Sequence, residues 1–224
     1  MSFPEPIVLG VDEAGRGPAI GPLIIAGVAV PESVLVKFEN LGIRDSKRLS
    51  PKRREQLYDA LQQLNAKIYI RELTATKIDL TLKDTQDNLN LLEIRVMADI
   101  INEAMPTIAY IDAISKPAYS ERHLDPLLSS PKPRLVVENK ADDNYAVVGA
   151  ASIIAKVLRD QNITALQEAH RHLGDFGSGY PADPKTQRFL ERNVDTIRRY
   201  QLPFVRMEWE CTKRILRRKR QTLI

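Results

Sequence analysis

Short apolar runs bounded by turn residues alternate along the chain with longer stretches whose apolar residues recur every three or four positions. Residues 7–11 are apolar and end in Asp12-Glu13 and a glycine-rich turn, the pattern of a buried strand. Residues 22–30, rich in Ile, Val and Ala between two prolines, predict a second strand. Ser50-Pro51 opens a helix, with serine as N-cap, proline at the first helical position, and Leu57, Leu61 and Leu64 along one face. Residues 67–73 return to strand character. Leu89, Leu92, Val96 and Ile100 repeat at helical spacing until Pro106 stops them. Residues 108–111 predict a strand ending at Asp112, a helical stretch follows, and residues 135–137 form a further short strand. From about Asp143 to His172 the pattern is that of one long helix. Strands first, then strand and helix in alternation, predict an α/β domain built on a mixed sheet.

The chain has 224 residues, 43% hydrophobic and 28% charged, enough to bury one sizeable core plus an appendage and unlike a disordered chain. The longest apolar run, residues 23–30, is far short of the ~20 residues that cross a bilayer. The N-terminal residues lack the charge and apolar core of a signal peptide, so no membrane association and a cytoplasmic location are expected. The single cysteine, Cys211, forms no intrachain disulfide and has no neighbours at zinc-ligand spacing. Net charge is +4, but unevenly placed: from Arg206 onward it is +5, and the preceding residues sum to −1. A basic tail on a nearly neutral body fits a polyanionic partner, and equally a solvated helix end.

Three acidic positions share one topological feature. Asp12-Glu13, Asp112 and Asp142 each lie at or just beyond the C-terminal end of a predicted strand, the edge where α/β sheets bind ligands. Carboxylates gathered there repel one another, and hard divalent cations such as Mg²⁺ or Mn²⁺ relieve the repulsion. Taken singly, each Asp reads first as a helix or turn cap, and three in the same topological place weigh against that reading. The segment Gly15-Arg16-Gly17-Pro18-Ala19-Ile20-Gly21 is not a dinucleotide fingerprint, because its last glycine is one position late and prolines lead into a strand rather than a helix. Glycines around an arginine suit a close backbone approach to a nucleic-acid sugar, with Arg16 on a phosphate. Gly177-Ser178-Gly179-Tyr180-Pro181 presents one aromatic, placed either to stack on a sugar or base or to pack. A helix starting near Asp142 puts Gly149, Ser152, Lys156 and Arg159 on one face, a track that follows a phosphate backbone or a merely solvated face. His123, His170 and His172 have no partners at catalytic spacing and read as surface residues, and Trp209 reads as an anchor for the C-terminal segment.

Asp12-Glu13-Ala14-Gly15-Arg16-Gly17, Asp45-Ser46-Lys47, Tyr110-Ile111-Asp112, Lys140-Ala141-Asp142 and Gly177-Ser178-Gly179-Tyr180-Pro181 occur in that order, and together the chain resembles the ribonuclease HII family in its archaeal form. The resemblance implies a ribonuclease H-like mixed β-sheet flanked by helices, residues 1–175, with a C-terminal helical substrate-binding extension, residues 176–224. It implies a monomeric endonuclease that cuts the RNA strand of RNA/DNA hybrids and ribonucleotides embedded in duplex DNA, as in replication and repair. By motif match, Asp12, Glu13, Asp112 and Asp142 are the catalytic carboxylates and hold two Mg²⁺ or Mn²⁺ ions. Gly15, Arg16, Gly17 and Tyr180 read the junction between ribose and deoxyribose. Ser46, Lys47, Lys140, Ser152, Lys156 and Arg206 complete the expected substrate contacts. Many archaeal members carry lysine at the position of Arg16. Some end in a sliding-clamp-binding peptide with aromatics, which Gln221-Thr222-Leu223-Ile224 lacks, putting clamp binding in doubt. A non-catalytic nucleic-acid module would tolerate loss of Asp12, and a transposase on the same fold would not need the Gly-Arg-Gly and Tyr180 pair.

Overall fold

The computed structural model describes residues 5–43, 49–64 and 66–221, with side chains as far as residue 218. Five strands form one mixed sheet: β1 (Ile7–Ala14), β2 (Leu23–Pro31), β3 (Lys67–Leu73), β4 (Ile108–Asp112) and β5 (Arg134–Glu138), in the order β3-β2-β1-β4-β5. β2 runs antiparallel to β1, with Ile7 opposite Pro31 and Ala14 opposite Ile24. β1, β4 and β5 are parallel, with Val11 beside Ile111 and Asp112 beside Glu138. The parallel registers bring the C-terminal ends of β1, β4 and β5 to a common edge.

The helices are α1 (Leu35–Asn40), α2 (Pro51–Gln62), α3 (Ala75–Lys83), α4 (Leu89–Ala104), α5 (Pro117–Leu124), α6 (Ala141–Asn144), α7 (Ala146–Ala169), α8 (Pro184–Arg192), α9 (Val194–Tyr200) and α10 (Glu210–Gln221). Helix α2 starts as its sequence dictates: the Ser50 side chain accepts a hydrogen bond from the Arg53 backbone N–H at 3.3 Å, and Leu57 and Leu61 are buried. Among the described residues no helix is long and apolar enough to cross a membrane.

The single helix expected from Asp143 to His172 is instead three pieces. The four-residue α6 begins after Lys140, whose φ of 59° is left-handed, and Tyr145 breaks it at φ −119°, ψ 114°. Helix α7 follows, and a 3₁₀ turn, Arg171–Leu173, closes the stretch. The break has a tertiary cause: the Tyr145 hydroxyl donates to Glu138 Oε1 at 2.7 Å, and its ring packs on Tyr110 with centroids 4.3 Å apart.

Two compact units divide the chain. The first comprises Met1–Ala14, Ile24–Arg71 and Asn90–Val157, and contains most of the sheet with α1, α2, α4, α5 and α6. Its core includes Val8, Leu9 and Val11 of β1, Ile25 and Val28 of β2, Ala109 and Ile111 of β4, Ile100 and Ile101 of α4, and Ile153 and Ile154 of α7. The second comprises Gly15–Leu23, Glu72–Leu89 and Leu158–Ile224. Ala19, Ile20, Ile163, Phe176, Phe189, Leu190, Ile197, Phe204 and Val205 form its core, and Trp209, Cys211, Ile215 and Leu216 pack against them.

Candidate active site

The acidic edge belongs to the first unit. Asp12 and Asp112 follow the paired residues Val11 and Ile111, so the parallel register of β1 and β4 sets their carboxylates side by side. Asp12 is 4% exposed. Burial holds its carboxyl well above the ordinary 3.8, and the nearby charges of Glu13 and Asp112 push it further. Two donors partly offset this: the Ser152 hydroxyl, and the Glu13 backbone N–H at 2.7 Å from Oδ1. Asp112 Oδ1 accepts the Ala141 backbone N–H at 2.9 Å, tying the end of β4 to the first residue of α6. The next residue, Asp142, is fully enclosed.

Ser152 reaches Asp12 because α7 lies hard against β1. A Cβ placed on Gly10 would stand 2.3 Å from the carbonyl carbon and oxygen of Val147, so only glycine permits that approach. The expected track along α7 is corrected by this packing. Gly149, Ser152 and Arg159 are buried rather than solvated, and Ser152, expected as a substrate contact, has its hydroxyl engaged by Asp12. Lys156 is half-buried and Lys140 is exposed. Ser46 and Lys47 lie outside the described residues. Glu138, which the sequence reading missed, is a further carboxylate at this edge, opposite Asp112 and holding Tyr145 and Asn144. Its signal was the same strand-end position that singled out Asp112.

The glycine loop belongs to the second unit. Gly15 has a φ of 95°, and a Cβ there would meet the Pro22 carbonyl at 2.6 Å. Gly17 is exposed, and a Cβ on it would lie 3.6 Å from the Tyr180 ring. The backbone N–H groups of Ala19 and Ile20 both donate to the Gly179 carbonyl, at 2.8 and 3.3 Å, lacing this loop to the Tyr180 loop. Arg159, 2% exposed, donates to the Ser178 carbonyl and places its guanidinium 4.9 Å from the Tyr180 ring centroid. Arg206 requires a second correction. It was expected on substrate but is completely buried, with Nε, Nη1 and Nη2 donating to the carbonyls of Gly21, Arg16 and Gly15 at 3.1, 2.9 and 2.5 Å. Trp209 is the expected anchor, its Nε1 donating to the Gly17 carbonyl at 3.0 Å. Two of the histidines are half-buried structural residues: His123 contacts the Tyr119 carbonyl, and His170 packs on Phe204.

A mixed sheet of this strand order, with acidic residues at the ends of its parallel strands, places the chain in the ribonuclease H-like class of α/β folds. The family model described as Ribonuclease HII matches residues 9–212. Ribonuclease HII of Thermofilum pendens is 41% identical over 216 residues, spanning 93% of this chain and 98% of that relative. The crystal structure of ribonuclease H2 from Pyrococcus horikoshii OT3 superposes with a TM-score of 0.83 at 36% identity, covering 96% of this chain and 99% of that one. Ribonuclease HII of Archaeoglobus fulgidus, solved as a complex with PCNA, gives 0.79 at 36% identity over 91% of this chain and 95% of that one. The chain belongs to the ribonuclease HII family. It is therefore a metal-dependent endoribonuclease.

Proposed function

We propose that this endoribonuclease hydrolyses the RNA strand of RNA/DNA hybrids, and cuts at single ribonucleotides in duplex DNA, with two divalent ions and 3′-hydroxyl and 5′-phosphate products. The observation that carries the reading is the buried Asp12 carboxyl held beside Glu13 and Asp112, a grouping costly to ionise without a cation.

The donor set suits hard ions such as Mg²⁺ or Mn²⁺, being carboxylate oxygen throughout. Among the described residues no three acidic, histidine or cysteine side chains already converge on one point. Ions held by Asp12, Glu13, Asp112 and Asp142 would complete their coordination with water and phosphate oxygens, because Mg²⁺ keeps several waters and is bound by a few carboxylates plus substrate phosphates. When bound, they supply activation of the attacking water and charge stabilisation at the leaving 3′-oxygen. The residues of the chain do the rest. Ser152 fixes the Asp12 carboxylate, and the Ala141 N–H fixes that of Asp112. Arg16, Lys140 and Lys156 bind phosphates, Gly15 and Gly17 bring backbone against the ribose, and Tyr180 stacks on the adjoining sugar. The 2′-hydroxyl, the group that separates RNA from DNA, is read by that loop. Residues 176–224 serve this substrate binding.

The test is incubation with Mg²⁺ of a duplex carrying one ribonucleotide, beside an all-DNA duplex and a long hybrid, with analysis of product ends. Cleavage of both ribose-containing substrates to 3′-hydroxyl ends is expected. Cleavage of the all-DNA duplex, or a cyclic phosphate product, would refute the reading.

A further inference from the structure

We infer that Arg206 and Trp209 are positioning residues that set the shape of the glycine loop, and through it how strongly ribose is told from deoxyribose; the inference rests on the reading of that loop proposed above. Within seven residues, four carbonyls are taken by these two side chains. Arg206 holds Gly15, Arg16 and Gly21, and Trp209 holds Gly17. In a trans peptide the carbonyl of one residue and the N–H of the next point in opposite directions. Fixing the carbonyls of Gly15 and Arg16 on Arg206 therefore turns the N–H groups of Arg16 and Gly17 away from it. Charge-assisted bonds to the carbonyls also polarise those peptides, which makes their N–H groups stronger donors.

The brace is itself anchored. The Trp209 ring covers the Arg206 guanidinium at 4.7 Å. The Asp79 carboxylate of α3 accepts the backbone N–H groups of Met207 and Glu208 at 2.7 and 3.0 Å. The Arg206 N–H donates to the Ala19 carbonyl at 2.9 Å, and the Gly21 N–H to the Phe204 carbonyl at 2.8 Å. A short antiparallel bridge joins Ile20 to Val205. A fully buried guanidinium makes no phosphate contact, so Arg206 meets the substrate through the loop that it shapes.

Two conservative variants test this. Trp209→Phe keeps a ring over Arg206 and deletes the Nε1–H, and Arg206→Lys keeps the charge but cannot span three carbonyls. The readout is the ratio of KI for an all-DNA competitor duplex to KM for the duplex with one ribonucleotide, which does not depend on the fraction of active enzyme. Losing one hydrogen bond should lower that ratio roughly 2- to 10-fold in Trp209→Phe, and at least ~10-fold in Arg206→Lys, with KI within about twofold of wild type. An unchanged ratio in Trp209→Phe and in folded Arg206→Lys would overturn the inference, as would a parallel rise of KI and KM. Should Arg206→Lys lose its thermal transition, Trp209→Phe alone decides. A wild-type ratio near one refutes the loop reading itself, which separates that failure from failure of the brace.

Discussion

Gly10→Ala tests whether the contact between β1 and α7 holds the Asp12 carboxylate, proposed above as catalytic, in place. The added Cβ would lie 2.3 Å from the Val147 carbonyl and 2.5 Å from the Val148 nitrogen, where ordinary contact begins at 3.4 Å. Both are backbone atoms, so no rotamer change relieves the clash, and strand and helix must part by about 1 Å. Ser152 lies on the same helix, and its hydrogen bond to Asp12 fails when stretched by that amount. Overpacking of this kind costs ~1–3 kcal/mol, which for a chain of this length lowers Tm by roughly 2–12 °C. Displacing a catalytic group by about 1 Å costs on the order of 10² in rate. The assay is kcat at saturating Mg²⁺, well below the melting range, paired with circular-dichroism melting. A variant with wild-type kcat and Tm would refute the argument, and a lowered Tm with unchanged kcat would confine the contact to stability.

Asp12→Asn should lower cleavage by at least ~10². It should also raise the Tm of the metal-free protein at neutral pH. The folded carboxyl titrates above its ordinary 3.8, so the native state binds the proton more tightly, and wild-type stability falls as pH rises from 3.8 through the raised value. The advantage of the variant is thus absent below about 3.8 and grows as pH rises from there, and calorimetry without metal showing a lower Tm at pH 7 would contradict it. Tyr180→Ala should cost ~1–3 kcal/mol, more on single-ribonucleotide duplexes than on long hybrids, whereas an equal small loss on both assigns Tyr180 to packing. In α10, Thr212 is buried and Cys211, Ile215 and Leu216 pack on the core, so deleting the tail would expose that core. Replacing the exposed Arg214, Arg217 and Arg218 together by Gln isolates the charge. If each contacts one phosphate, the slope of log affinity against log salt becomes shallower by ~2.7, and an unchanged slope marks a solvated helix end.

What was legible in the sequence is what local patterns decide. Ser50-Pro51 contains its own capping chemistry, and the apolar runs ending in Asp12 and Asp112 state both the strand and the position of the carboxylate at its end. The ordered motifs supplied the family because they keep the acidic residues and the glycine loop in sequence context. What was hidden depends on distant partners. Tyr145 breaks a pattern that is helical throughout because Glu138 of β5 and Tyr110 of β4 engage it, and contacts to strand residues leave no mark on a helical periodicity. The small residues Gly149 and Ser152 mimic a solvated face because burial by a close backbone leaves no apolar signature. Arg159 and Arg206 read as surface cations because arginine is rarely enclosed, and only their carbonyl partners show otherwise.

The hydrogen bonds from Arg206 and Trp209 to the glycine loop join residues 185 to 192 positions apart, and this separation has a consequence for the chain while it is being made. Synthesis proceeds from the N-terminus at ~5–20 residues per second. Once Ser152 has emerged, β1, β4, α6 and the hydroxyl that holds Asp12 are all present. Arg206 and Trp209 follow more than fifty residues later, a lag of roughly 3–10 s at that rate. A nascent chain thus acquires its acidic edge before the bonds that shape its glycine loop. On the proposed reading of the loop, selectivity is the last property to be completed, and a chain cut short before Pro203 carries Asp12, Glu13, Asp112 and Asp142 without the four bonds that shape the loop.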